Sequence, residues 1–307
     1  MNTLILKIGS AGDVTRTTAL LRRLEGDVTW ISAPYNTEVL ERPGMRCLAW
    51  EDRDHARDRV YDIVINLEDD KEAARFVGDV RYKQLFGAYL NGEQTVSYTD
   101  DSRGWFDLSL ISVHGRVKAD KLKLQNRRTY QDLIFAGLGF CFAGERYDLP
   151  QPVETDLVGD VALAPAVGAV WPMKSWAYYD QLKLALEAQS LRVNVLPKRS
   201  SLREHLSDVR NHRCLVSGDS LPMHLALGTG TPCVTLFNCT SPWEICDYGV
   251  QIKIVSPLLE KYFYKRSFDP GATQAIGVDE VFDAVLARLN GAQYGANREV
   301  RNELGRK

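Results

Sequence analysis

Three stretches of this chain set reactive side chains beside turn-forming residues. The first is Gly9-Ser10-Ala11-Gly12-Asp13, which follows the apolar run Leu4–Ile8 and precedes an amphipathic stretch. Asp13 stands where a helix N-cap belongs, and aspartate is a favoured cap. A carboxylate in such a loop can also take a proton from a reacting hydroxyl. The loop lacks the third glycine of GxGxxG and has no Lys-Ser pair, which argues against a dinucleotide fingerprint and a P-loop. The second stretch is "GAVWPMKSW", Gly168 to Trp176. Its Lys174, just ahead of a helical pattern, can point an ammonium at phosphates or lie in solvent beside two core indoles. The third is "SGDSLPMHLALGTGTPCVTLFNCTSPWE" from Ser217. There Gly218-Asp219-Ser220 opens a helix, whose unpaired backbone amides suit a phosphate. His224, one turn in, is either a core histidine or a sugar and phosphate contact.

These loops need elements to hold them. Leu4–Ile8, Val28–Ile31 and Asp62–Leu67 read as buried parallel strands, with a 3.6-period helix over Thr15–Leu24. The alternation resumes with Val161–Ala164, Tyr178–Gln189, Leu191–Leu196, Cys214–Ser217, Met223–Leu227 and Cys233–Phe237. Such alternation means an α/β fold with parallel sheets. The polar, proline-bearing stretch Tyr147–Pro152 separates two runs of it. The expected domains are therefore 1–150 and 151–290. A tail, 291–307, is charged and is either frayed or a helix returning to the first domain. Two such domains create a cleft, and ligands in such sheets sit beyond the C-terminal strand ends.

Bulk properties narrow the class. The chain has 307 residues, 25% charged and 45% hydrophobic, enough for two domains. Its net charge of -2 argues against a nucleic-acid binder. No apolar run is long enough to span a membrane, and the N-terminus lacks a secretory signature. Cys47, Cys141, Cys214, Cys233, Cys239 and Cys246 show no CxxC pair and read as free thiols of a cytoplasmic protein. Cys233, Cys239, Cys246 and His224 fit no zinc spacing, so no metal is expected.

Taken together, three motifs carry a resemblance. "LKIGSAGDVTRTTALL", "GAVWPMKSW" and Asp-Ser-x-x-x-His-Leu-Ala, the last followed by a turn, a strand and Thr-Ser-Pro, occur in this order. In this the chain resembles the heptosyltransferases of glycosyltransferase family nine. The resemblance implies a GT-B fold: two Rossmann-like domains whose parallel sheets face a central cleft. It implies an inverting, metal-independent transfer of a heptosyl group from ADP-heptose to an acceptor hydroxyl, as in lipopolysaccharide biosynthesis. Asp13 matches the family's general base and Lys174 its phosphate-binding lysine. Gly168, Asp219, Ser220, Leu221, His224 and Thr240 fall on donor-binding stretches. Gly12 and the acidic cluster Glu68, Asp69 and Asp70 fall on the acceptor side. That cluster is either a solvated turn or a lip gripping acceptor hydroxyls or amines. No cofactor is implied beyond the nucleotide-sugar donor. The acceptor is a glycan, a glycolipid or a small molecule.

The chain departs from the family's pattern in three places. Leu221 stands where glycine is usual, Asn238-Cys239 replace Gly-Pro, and Pro197-Lys198-Arg199-Ser200-Ser201 replaces a glycine-rich turn with an acidic residue. The basic stretch Lys118–Arg128 is either a solvated helix face or a contact with an anionic glycolipid or peripheral membrane surface. The aromatic run Lys261–Phe268 either lines the cleft or is core. Two rival readings are a GT-B-like sugar-nucleotide epimerase and a non-catalytic sugar-nucleotide-binding protein.

Overall fold

A computed structural model describes residues 1–109 and 114–291. The expected tail therefore lies, beyond Gly291, outside the described residues. The chain divides into two compact units.

Unit 1 comprises Met1–Pro152 with the short segments Ser200–Arg203 and Trp243–Cys246. Its strands are β1 (Asn2–Leu6), β2 (Asp27–Ser32), β3 (Met45–Ala49), β4 (Val60–Asn66), β5 (Arg81–Leu90) and β6 (Val96–Tyr98), in sheet order β3-β2-β1-β4-β5-β6. The first five run parallel, and β6 returns antiparallel to β5. That edge hairpin departs from the all-parallel expectation. Asn91 builds its turn, its Oδ1 accepting from Glu93 N, Thr95 N and Thr95 Oγ1 at 3.0 Å. The helices are α1 (Ala11–Thr17), α2 (Thr37–Leu40), α3 (Lys71–Gly78), α4 (Arg103–Ser109), α5 (Arg116–Gln125) and α6 (Tyr130–Gly137).

The central strands read as near-continuous apolar runs because helices cover both faces. Leu4 lies opposite Thr29 on β2 and Val64 on β4. Leu4, Leu6, Ile31 and Val64 pack with Ala73, Phe76 and Val77 of α3 in one buried cluster. The helix expected over Thr15–Leu24 begins four residues earlier, at Ala11, and tightens into a 3₁₀ turn over Thr18–Arg22. In the segment Ser200–Arg203, Glu38 Oε2 accepts from Ser201 Oγ (2.7 Å), Leu202 N (2.9 Å) and Arg203 N (3.4 Å).

Unit 2 comprises Val153–Arg199, Glu204–Pro242 and the chain from Asp247. Its strands are β7 (Gly159–Ala164), β8 (Val193–Val195), β9 (His212–Gly218), β10 (Cys233–Phe237) and β11 (Gln251–Val255). All are parallel, in order β11-β10-β9-β7-β8. The helices from here on are α7 (Tyr179–Glu187), α8 (Leu202–Arg210), α9 (Leu221–Thr229), α10 (Leu259–Tyr262), α11 (Pro270–Gln274) and α12 (Val278–Leu289). Leu182 and Leu186 of α7 meet Val281 and Val285 of α12 over Leu163, Val216 and Leu236 of the sheet. Tyr262 and Phe263 of the aromatic run are buried, whereas Phe268 is exposed. All six cysteines are free, and Cys214, Cys233 and Cys239 are buried. Among the described residues, no helix is long and apolar enough to cross a membrane.

One backbone position in unit 1 admits no side chain. Gly87 has φ +108°, and a Cβ there would lie 1.9 Å from the Asn66 carbonyl oxygen of the paired strand β4. Gly87→Ala should therefore cost about 3 kcal/mol or more, the range of strained backbone combined with a core clash. A lowered denaturant midpoint for unit 1 checks it; an unchanged midpoint would contradict the tight β4–β5 contact.

Candidate functional site

In unit 1 the strand order reverses at β1. The chain leaves β1 for β2 on one side and comes back to β4 on the other. The loops after β1 and β4 thus lead apart from neighbouring strands, leaving the crevice where α/β sheets bind ligands. Glu68 ties the two loops together. Its Oε1 accepts from Lys7 Nζ (2.8 Å), Ile8 N (2.6 Å) and Gly9 N (3.3 Å). Glu68 is therefore a brace for the Gly9–Asp13 turn. Burial works against the Lys7 ammonium, but Glu68 and then Asp13 outweigh it and hold its pKa above the ordinary lysine value. Asp70 caps α3, its Oδ1 accepting from Glu72 N and Ala73 N at 2.9 Å. Asp69 is exposed.

Asp13 is not a cap. Ser10 is the N-cap of α1, and Asp13 sits within the first turn beside buried Gly12. Ser10 Oγ donates to Asp13 Oδ2 at 3.3 Å, and Arg16 NH2 meets Oδ1 at 2.8 Å. The Asp13 side chain remains 36% exposed, so the carboxylate is fixed yet reachable. Arg16 is buried, its guanidinium 4.1 Å from the Tyr130 ring centroid and 5.2 Å from that of Trp105. Glu244 is its second carboxylate, at 3.8 Å. Burial disfavours the guanidinium charge, but Asp13 and Glu244 more than offset it and raise the Arg16 pKa.

In unit 2 the reversal falls at β7, flanked by β8 and β9. Lys174 closes a 3₁₀ turn, Pro172–Lys174, in the loop after β7. Asp219 follows β9. Lys174 Nζ lies 2.7 Å from the Asp219 carbonyl oxygen and 3.0 Å from its Oδ2. A Cβ on Gly218 would lie 2.6 Å from the Lys174 carbonyl oxygen, so only glycine lets the two loops approach this closely. Asn238, just after β10, donates from Nδ2 to Ser175 O at 2.8 Å and pins the lysine loop. Burial would raise the Asp219 pKa, but Lys174, His224 and the Thr240 hydroxyl outweigh it and hold it below the usual carboxylate range. The sequence thus brings Lys174, Asp219, His224 and Thr240 together. His224 and Thr240 are themselves buried.

Ser220 is the N-cap of α9, with no side-chain cap bond, and Leu221 and Pro222 open the helix. Leu221 is not among the residues with positive φ, so leucine fits there without strain. Pro222 has no N–H to offer, which leaves the amides of Leu221 and Met223 at the helix start. Among the described residues, Ser217 Oγ near the end of β9 and Asn238 Oδ1 and Ser241 Oγ after β10 are buried with no hydrogen-bond partner. Buried polar atoms are rarely left so. A Cβ at Gly168 would touch nothing within 4 Å. Among the described residues, no three His, Cys, Asp or Glu side chains gather as ligands for a metal.

Sequence reasoning missed Arg16, Trp105, Tyr130 and Glu244. The Asp13–Arg16 spacing was a usable signal, since three residues apart on a helix are neighbours. Tyr130 and Glu244 lie far along the chain, and nothing local announces them. Within the basic stretch, Lys123 turns inward to Glu244 at 3.6 Å, while Lys118, Lys121, Arg127 and Arg128 are exposed.

Residues 170–267 match the family model described as glycosyltransferase family 9 (heptosyltransferase). Among curated proteins, none matches the chain. Solved structures similar in fold include the glycosyl transferase family 9 protein of Veillonella parvula, at 15% identity and TM-score 0.64, covering 95% of this chain and 97% of that one. The E. coli ADP-heptose lps heptosyltransferase II aligns at 16% identity and TM-score 0.60, covering 95% and 99%. The E. coli heptosyltransferase WaaC with ADP aligns at 17% identity and TM-score 0.58, covering 94% and 100%. The fold is accordingly α/β, of the GT-B heptosyltransferase kind. The resemblance to the family 9 heptosyltransferases holds over residues 170–267.

The Lys174–Asp219 pair has a measurable pH signature. A carboxylate held below its unfolded value, near 3.8, stabilises the fold above that pH and loses the contribution as pH falls through its folded pKa. The stability gap between wild type and Asp219→Asn should be full at neutral pH and close progressively below pH 3.8. Denaturant midpoints taken across that range check it, and a gap independent of pH would contradict an ionised Asp219.

Proposed function

We propose that this chain is a glycosyltransferase that moves a heptosyl group from ADP-heptose to an acceptor hydroxyl with inversion at the anomeric carbon. The observation that supports it most is the meeting of Lys174, Asp219 and the start of α9 at the strand-order reversal of unit 2, inside the segment that matches the family model. The similarity to E. coli heptosyltransferase WaaC with ADP and to the E. coli ADP-heptose lps heptosyltransferase II supports the donor class.

In this reading unit 2 holds the donor and unit 1 the acceptor. Asp13 takes the proton of the acceptor hydroxyl as its oxygen bonds to the anomeric carbon. The bond from that carbon to the β-phosphate oxygen breaks, and ADP leaves. A single displacement of this kind inverts the centre. Lys174 and the amides of Leu221 and Met223 take up the charge on the departing diphosphate. Asp219 now shares the Lys174 ammonium and would exchange part of that pairing for sugar hydroxyls. The buried oxygens of Ser217, Asn238 and Ser241 are polar partners for the same ligand. Gly168 and Ser220 complete the donor side. Gly12 and Asp69 are assigned to the acceptor side, with Glu68 and Asp70 shaping it through the brace and the cap. The acceptor is a glycan, glycolipid or small molecule, and the chemistry is placed in the cytoplasm.

Charge neutralisation by a lysine and a helix start predicts turnover that survives exhaustive EDTA treatment. Loss of turnover on chelation, restored by added magnesium or manganese, would overturn that part of the reading.

A panel of ADP-, UDP- and GDP-sugars offered with and without acceptors tests the rest. Transfer from ADP-heptose is expected. Conversion of the donor alone would indicate an epimerase, and binding without turnover a non-catalytic protein. Asp13→Asn should leave ADP affinity near wild type and lower turnover by roughly 100-fold or more, the usual scale of lost acid–base catalysis. Lys174→Ala should weaken ADP binding by about 1–3 kcal/mol, measured by calorimetric titration, with Ser220→Ala costing less. Unchanged affinity in Lys174→Ala would move the diphosphate elsewhere.

A further inference from the structure

We propose that Arg16 is the positioning residue for the Asp13 carboxylate, and that Glu244 balances the charge Arg16 brings to it. The inference rests on Asp13 acting as the base. An exposed helical ion pair three residues apart would carry little, because both side chains move and water screens them. This pair differs in its surroundings. The Arg16 side chain is 9% exposed, stacked on Tyr130 and flanked by Trp105, so its plane cannot turn. A guanidinium fixed in plane fixes the oxygen it binds, and Arg16 binds Oδ1 while Ser10 donates to Oδ2. Both oxygens of Asp13 thus have set directions.

A buried cation needs countercharge. Asp13 supplies one part and must remain basic enough to accept a proton. Glu244 supplies the other. It reaches Arg16 NH1 at 3.8 Å, and its carbonyl oxygen accepts from Tyr130 N at 2.9 Å, at the first residue of the helix that carries the stacking ring. Lys123 of α5 approaches the other Glu244 oxygen at 3.6 Å. The segment carrying Glu244 is further fixed by Arg127, stacked 3.7 Å above the Trp243 ring. Among the described residues, the charged and titratable groups facing Asp13 include Arg16 from α1, Lys7 just after β1 and Tyr130 from α6. Those facing Arg16 include, among the described residues, Asp13, Glu244, Tyr130 and Tyr147. Lys7 is itself balanced by Glu68. Arg16 and Glu244 are therefore opposite weights on one carboxylate.

Opposite weights give opposite shifts, which a purely structural role does not. The test is the pH profile of kcat/KM for Arg16→Gln, Glu244→Gln, Arg16→Lys and Asp13→Asn in the full chain. Arg16→Gln removes a cation, so the acid limb should move up by on the order of one pH unit. Its kcat should fall on the order of 100-fold as the carboxylate loses its fixed direction. Glu244→Gln removes an anion, so the acid limb should move down, with donor KM unchanged. Arg16→Lys keeps the charge without the planar fork and should restore the limb but not kcat. Limbs moving in the same direction, or not at all, while Asp13→Asn abolishes turnover would overturn the positioning role and leave Asp13 as base. Full turnover in Asp13→Asn would overturn the base itself, and the positioning role with it. Should Arg16→Gln fail to fold, the isosteric Glu244→Gln decides alone: a limb that stays or rises contradicts the proposal.

Discussion

A parallel strand cannot hand the chain directly to its neighbour; each crossover must first cover a face of the sheet. Where the order of strands reverses, two successive crossovers go to opposite sides and the loops they start from part. Each unit of this chain has one such point, at β1 in the first and at β7 in the second. The loops that carry Asp13, Lys174 and Asp219 start beside these points, where ligands of such sheets bind. Both points then meet the same difficulty, a cation drawn out of water, and each solves it with carboxylates. Arg16 has Asp13 and Glu244, Lys7 has Glu68, and Lys174 has Asp219.

The strands that bury both faces were legible because an unbroken run of Leu, Ile and Val has few other uses. β1, β2, β4, β7, β9 and β10 belong to this class. β3, with every residue only partly buried, and β5, which opens with four exposed residues, gave no such run. β6 is three residues long, and its pairing depends on a turn built by one asparagine side chain. β11 stood outside the runs read as strands, although its first residues are buried.

The site was legible in its loops and not in its contacts. Lys174 and Asp219 were identified separately, as neighbours of strand ends, and the fold brings them together across forty-five positions. Asp13 was placed at the helix boundary when it lies inside the first turn, because Ser10 three residues earlier is the residue with extended backbone. Glu68 read as part of either a solvated turn or a lip gripping the acceptor. Its role shows only once the Ile8 and Gly9 amides are seen to converge on one oxygen. A single sequence announces a loop by its glycines; it does not announce which distant carboxylate will brace it.

The bond set at Glu38 bears on how such a protein can drift. One oxygen serves the hydroxyl of Ser201 and the amides of Leu202 and Arg203. Residue 38 is therefore not free to change before residue 201 does. A carboxylate lost first takes the acceptor from the Leu202 amide and leaves Arg203 N to Ser201 Oγ alone of these two, at 3.2 Å, whereas aspartate or asparagine arriving first at 201 can take over the local cap. The permitted order of substitutions is thus fixed by hydrogen-bond supply, and the turn after β8 inherits that restriction whatever ligand it comes to serve.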